Sequence, residues 1–443
     1  MHGLLETVLA RRPQPLRVAI VGCGWFGARI ARELVRRSNV RLSGLFVRRD
    51  LARAEALLRD LALMGGPTRS IHRLSGPRED RAQEACLVSS DLQAIGDLKA
   101  LDVVVDASGD MAAGARAAVT AAECGAHFVT VGAEMDATIG LRLARFAADH
   151  GVVYSVCDGD QPGVLARMIH ETRFLGFEVK LAGCGKEYLD IYQTPDGARR
   201  YCGDTQNPRK VCSFADGSKQ GAELTVVANG FGLRPLVRGM HGPTTQKHSI
   251  VATFENLARL SERTGGYVDY TLGSVEPEQG APVFVIAAHT HEAVQADMRY
   301  LKKGNGPLYL FFRDHHLCHF EAASSVLEAV LFQQPTLAAT GRYADLVAVA
   351  KRDLPAGRRL DGMGGFDCYG VVERAETAAA YGLLPLGLAE FATLEQPVAK
   401  DEPIPRAAVD LADNEATRLR GELEQLPLDP PRPEPPSATG ISR

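Results

Sequence analysis

Leu16-Arg17-Val18-Ala19-Ile20-Val21-Gly22-Cys23-Gly24-Trp25-Phe26-Gly27 is an apolar run that breaks into three glycines spaced GxGxxG. Behind it Phe26, Ile30 and Leu34 recur at helical spacing, so strand, tight loop and helix follow one another. Each glycine has a task in such a loop: a tight turn, close backbone approach of a pyrophosphate, and close packing of helix on strand. The helix N-terminus presents unpaired N–H groups to the anion. This stretch therefore predicts a dinucleotide site, the alternative being a glycine turn that only permits packing.

Working outward, Leu42 to Val47 is a second apolar run, followed by a charged, helical and loop-rich stretch to about residue 98. Leu101 to Ala107, His127 to Val131 and Val152 to Val156 read as buried strands, with helices over Ala112 to Glu123 and Thr138 to His150 between them. Alternation of this kind predicts an α/β fold, a Rossmann-type doubly wound parallel sheet with helices on both faces, over residues 1–160. Beyond Pro162 the pattern changes. Phe214 to Lys219 reads as a turn between strands, and Tyr267 to Tyr270 and Val283 to Ile286 add strand candidates, so an α+β domain is expected over 161–342. A small β-rich unit is expected over 343–415. A short charged helix is expected to follow Ala416, but prolines crowd 427–436, and 416–443 is expected to be a disordered tail.

The chain has 443 residues, 45 % of them hydrophobic and 23 % charged, with a net charge of -4 and nine scattered cysteines. Such a chain buries a substantial core. Without a long basic block a nucleic acid is not an expected partner, and the expected ligand is a small molecule. No apolar run reaches membrane-spanning length, and no CxxC pair occurs; a cytoplasmic location, no membrane partner and reduced thiols are expected.

The second strand ends in Arg48-Arg49-Asp50. An acidic residue at such a point holds a free ribose 2′-OH, whereas two guanidinium groups suit a 2′-phosphate. NADP is therefore expected ahead of NAD; the alternative is that both arginines are solvated and Asp50 meets the ribose. Residues at the carboxyl ends of the other strands come next. Ser108 and Gly109 are candidate neighbours of the cofactor or a helix-capping turn. Glu134 orients a substrate or meets a helix N-terminus, and Asp158 and Asp160 could hold a polar substrate or a divalent cation. Hydride transfer to or from an alcohol needs a group for the hydroxyl proton, for which Lys186 and Lys219 are candidates against the bland reading of solvated lysines. His315, His316 and His319 share helical spacing suited to a metal, or are stacked histidines near a domain junction.

On Gly22 to Gly27, Asp136 to Gly140, Gly159 to Gly163, Phe214 to Lys219, Met240 to Pro243, Val268 to Tyr270 and His316 to Glu321, the chain resembles the homoserine-dehydrogenase-like oxidoreductases with a C-terminal SAF domain. Val349 to Leu360 and Leu383 to Leu388 resemble the SAF part. Within the family it is similar to the 1-deoxyxylulose-5-phosphate reductoisomerase-like (DRL) enzymes, which use NADPH and a divalent metal. That branch carries Glu after its Gly-Asp pair, where this chain has Gln161, and no metal ligand is assigned. The resemblance implies cofactor contacts at Gly22, Gly24, Trp25, Phe26, Gly27, Arg48, Arg49, Ser108, Gly109 and Glu134. It also implies that Lys186 polarises the reacting oxygen while Asp160 and Lys219 orient the substrate, in a homodimer. The expected activity is NADP-dependent hydride transfer between nicotinamide and a small polyhydroxylated or phosphorylated substrate. A reductoisomerase, a homoserine dehydrogenase and a cofactor-binding sensor or scaffold are the alternatives.

Overall fold

The computed structural model describes residues 2–66, 69–71, 85–203, 207–260, 265–275 and 280–428. The chain divides into two compact units. The first comprises Met1–Val164, Leu317–Ala338 and Ala412–Gln425; the second is built mainly from Leu165–His316 and Ala339–Leu411.

The first unit holds seven strands: β1 (Leu16–Val21), β2 (Val40–Phe46), β3 (Arg69–Ile71), β4 (Ala85–Ser89), β5 (Val103–Asp106), β6 (His127–Thr130) and β7 (Tyr154–Val156). They pair in the order β3-β4-β2-β1-β5-β6-β7, and every pairing is parallel. β1, β5 and β6 are almost entirely buried, which is why they read as continuous apolar runs rather than alternating ones. The order of strands reverses at β1, whose neighbours are β2 and β5, and this crevice is where open α/β sheets bind ligands.

Several sequence expectations are corrected here. The charged stretch before residue 98 contains two parallel strands, β3 and β4; β4 is only Ala85-Cys86-Leu87-Val88-Ser89 and too short to stand out from its surroundings. The helix expected from Thr138 runs Ala133–Asp149, with Glu134 and Asp136 in its first turn, where acidic side chains meet the positive end of the helix dipole. Residues 322–332, inside the span expected for the second domain, form the helix Ala322–Phe332 of the first unit, where Val326, Leu327 and Ala329 share a core with Ile20, Ile30 and Val105. The short charged helix expected after Ala416 is present, and it packs on the first unit rather than opening a disordered tail. A helix over Glu415–Glu424, closed by an Asn414 capping box, buries Leu419 and Leu423, and its Arg420 donates to the Thr138 carbonyl at 3.1 Å. Residues 429–443 lie outside the described residues.

The second unit carries β8 (Glu178–Lys186), β9 (Tyr267–Leu272), β10 (Val283–Ala288) and β11 (Leu308–Arg313) in the order β11-β10-β8-β9. β8 and β9 are parallel, and the other two pairings are antiparallel. The turn at Asp216-Gly217 is present, but helices flank it rather than strands: Pro208–Ala215 before it and Ser218–Phe231 after it. The second helix is buried at every residue but Lys219, so it has no polar face to reveal a helical period. The expected boundary at 342/343 does not divide this unit. Asn229 on that helix accepts from the backbone N–H groups of Tyr343 and Ala344 at 2.8 and 3.0 Å, tying it to β12 (Ala344–Ala350), which pairs with β13 (Cys368–Arg374). No helix among the described residues is long and apolar enough to cross a membrane, and all nine cysteines are free thiols.

Candidate active site

The loop after β1 is tied to both neighbours: Gly22 N–H donates to Phe46 O at 2.8 Å, and Ala107 N–H donates to Val21 O at 2.8 Å. Gly22 has φ +97°, and a Cβ there would stand 2.6 Å from Ala107 O. At Gly27 a Cβ would stand 1.9 Å from Gly22 O. The protein's own packing therefore requires both glycines. Gly24 differs: its φ is an ordinary -69°, and a Cβ would meet nothing within 4 Å. Its bareness serves no internal contact, which fits a backbone that a pyrophosphate approaches. Cys23 beneath the loop is buried, which pushes its thiol up to about 12 and leaves it inert.

The other predicted cofactor contacts gather at the same carboxyl edge. Arg48 and Arg49 are exposed, and Arg48 Nη1 lies 2.8 Å from Asp110 Oδ2. Asp50 Oδ1 accepts from Arg53 N–H at 2.9 Å as a helix N-cap, so its carboxylate is engaged in the fold. Ser108 N–H donates to Asp106 Oδ1 at 3.0 Å, Gly109 has φ +64°, and Asp106 Oδ2 accepts from Thr130 Oγ1 at 3.1 Å. Thr130 Oγ1 accepts in turn from Gly132 N–H at 2.8 Å, bracing the loop that leads to Glu134. Burial raises the Asp106 carboxyl, and hydrogen bonds from Ser108 and Thr130 oppose the shift.

Asp136, beside Tyr154, is raised by burial to about 7, the Tyr154 hydroxyl pulling the other way. Unfolding releases this proton above pH ~3.9, so the folded state loses stability as pH rises from there to about 7, by at most about 1.4 kcal/mol per pH unit. Asp136→Asn is expected to flatten the dependence of Tm on pH between 4 and 7 and to raise Tm above pH 7. Parallel curves for variant and parent would contradict the buried acid.

Two of the expected substrate carboxylates also accept hydrogen bonds within the first unit. Asp158 Oδ1 accepts from Gly159 N–H at 2.9 Å and Oδ2 from Ser324 Oγ at 3.1 Å, pinning the helix Ala322–Phe332. Asp160 Oδ1 accepts from Gln161 N–H at 3.1 Å, at the start of the helix Gln161–Phe174. The three histidines share no helix. His315 pairs with Asp314 at 2.6 Å, His316 Nδ1 donates to Ala281 O at 3.1 Å, and His319 packs against Trp25. Among the described residues no group of three or more His, Cys, Asp or Glu side chains is placed to hold a metal.

In the second unit, Lys186 ends β8 and its Nζ donates to the Phe214 carbonyl. Burial lowers its pKa, while Cys184, Asp216 and Glu223 favour the charged form. Lys219 Nζ lies 3.3 Å from Glu223 Oε1, a buried carboxylate whose charge also acts on Lys186. Asp216 itself is held by Lys351 Nζ at 2.8 Å. Close by in the fold, Asp269 on β9 is fully buried and accepts from His241 Nδ1 at 2.9 Å and from the backbone N–H groups of His241, Gly242 and Tyr270 at 2.8–3.1 Å. This leaves the Nε2 atom of His241 as the exchangeable position of an oriented acid–base pair. A pocket of about 160 Å³ is lined by Asp216, Gly217, Met240, Tyr270 and Tyr369 among others. The His241–Asp269 pairing carries no spacing signal in the sequence, since it is made by segments that meet only in the fold, whereas Lys219 and Glu223 stand four residues apart on one helix whose all-round burial hides its period.

Residues 159–322 match the family model for the catalytic domain of oxidoreductase DRL. Among solved structures, the chain is similar to 1-deoxy-D-xylulose 5-phosphate reductoisomerase from Zymomonas mobilis in complex with NADPH, at 14 % identity over 71 % of this chain and 81 % of that one, with a TM-score of 0.38. It is also similar to myo-inositol 2-dehydrogenase from Lactobacillus plantarum, at 13 % identity over 62 % of this chain and 75 % of that one, with a TM-score of 0.35. No curated protein matches the chain significantly.

Proposed function

We propose that the chain is an NADP-dependent oxidoreductase that transfers a hydride between nicotinamide and a small polyhydroxylated or phosphorylated substrate. The observation that carries this reading is Gly24, bare on its outer side at the head of the helix Trp25–Val35 and flanked by two glycines that packing demands. The match of residues 159–322 to an oxidoreductase catalytic domain supports the reaction class. The cofactor, when bound, supplies the hydride-carrying ring. The helix N-terminus and Gly24 receive the pyrophosphate, and Arg48 and Arg49 receive the 2′-phosphate, because Asp50 is spent on a cap. Lys186 polarises the reacting oxygen, and Lys219, held by Glu223, orients the substrate.

Titration with NADPH and NADH tests the first half. Converting Arg48 and Arg49 to Ala is expected to weaken NADPH binding by roughly 10- to 100-fold and NADH binding by less than about threefold. Equal losses overturn the 2′-phosphate assignment. The fold is expected to survive, since the Arg48–Asp110 pair is exposed and such pairs stabilise little. A screen of sugar acids, hydroxy acids and sugar phosphates for dinucleotide oxidation or reduction tests the second half.

A further inference from the structure

The segment Leu317 to Phe320 is distant in sequence from the glycine loop, yet its rings meet it. His319 lies edge-on to Trp25, with ring centroids 5.5 Å apart at 85°, and 6.4 Å from Phe26; Phe320 lies 4.2 Å from His319. The segment is anchored beside β7, where Cys318 N–H donates to Gly159 O at 2.7 Å. The helix that follows it packs with Val103, Val105, Val129 and Cys157, on the β5–β7 half of the sheet. Arg48 and Arg49 follow β2, on the other side of β1.

Two features mark this cluster as a contact surface rather than core filling. Trp25 and Phe320 are 48 % and 52 % exposed. The Arg29 guanidinium stands 3.9 Å from the centre of the Trp25 ring, and its Nη1 donates to Trp25 O at 3.1 Å, which brings its charge back to the helix N-terminus.

We propose that Trp25, His319 and Phe320 form a ledge for the nicotinamide half of the dinucleotide, with Arg29 adding positive charge beside the pyrophosphate. This rests on the dinucleotide reading above. A dinucleotide straddles the switch point of an open α/β sheet, so a 2′-phosphate at the end of β2 sends the nicotinamide toward β5–β7. There Trp25 and Phe320 offer exposed aromatic faces to a flat ring, and His319, packed against both, holds the two rings in place.

Trp25 is the only tryptophan in the chain, so its emission reports on the ledge alone. Saturating NADPH is expected to quench it by about half or more through energy transfer to the reduced ring, since an aromatic contact of this kind brings the rings within several ångströms. His319→Ala and Phe320→Ala are each expected to weaken NADPH binding by roughly three- to tenfold while leaving 2′-phospho-ADP-ribose, which lacks only the nicotinamide, unchanged. The exposed Phe320 is the safer of the two for folding, and circular dichroism checks both. Equal losses for the two ligands, unchanged NADPH affinity in the folded variants, or bound NADPH without quenching overturns the ledge and leaves the dinucleotide reading standing. If the parent chain binds neither NADPH nor NADH, the dinucleotide reading itself fails, and the ledge with it.

Discussion

Gly24→Val is expected to give a folded protein that does not bind dinucleotide. The added side chain meets no protein atom within 4 Å of its Cβ, and the backbone there is in a region open to any residue, so Tm should stay within a few degrees of the parent. Its branched methyls occupy the space over the helix N-terminus, separating the pyrophosphate from the N–H groups that would bind it. Each charge-assisted hydrogen bond lost contributes about 1.5 to 3 kcal/mol, so loss of two lowers affinity by at least roughly 100-fold. Gly27→Ala is the control with the opposite profile: its Cβ would stand 1.9 Å from a backbone oxygen, which displaces strand or helix and lowers stability. Calorimetric titration with NADPH and thermal melts separate the two. Retained NADPH affinity in folded Gly24→Val would remove the basis of the phosphate loop.

Lys186→Met, assayed with a substrate from the screen, is expected to lower kcat by roughly 10²- to 10³-fold with little change in NADPH affinity. An ammonium aimed at a carbonyl stabilises the negative charge that grows on oxygen as hydride arrives, and methionine keeps the length of the side chain without the charge. Burial already lowers the Lys186 pKa, which makes the group a readier proton donor to the developing alkoxide. Turnover near the parent value would make Lys186 a structural lysine donating to the Phe214 carbonyl. The acid–base role would then pass to His241, which Asp269 orients.

The cofactor half of the site was legible because its signal is local. Strand, glycines and helix lie within twenty residues, Gly27 packs onto Gly22 inside that span, and the buried parallel strands announce themselves by composition. The substrate half was legible only as single residues. Lys186 and Lys219 could be named as cations of the right kind, but Glu223, which pairs with Lys219, is one more polar residue on a helix buried all round. Asp158 shows another limit: an acidic residue at a strand end suggests a ligand, and nothing near it in the chain announces that it also accepts from Ser324.

Local chemistry thus decided the parallel sheet, the glycine loop and the anion-binding end of its helix, because backbone sterics and apolar periodicity act between near neighbours. Partnership across long sequence separations was decided by packing alone. His319 beside Trp25, Asp269 under His241, and the helix Ala322–Phe332 returned to the first unit all depend on which apolar faces bury one another. Burial is non-directional and leaves no spacing in the chain by which the partner could be read.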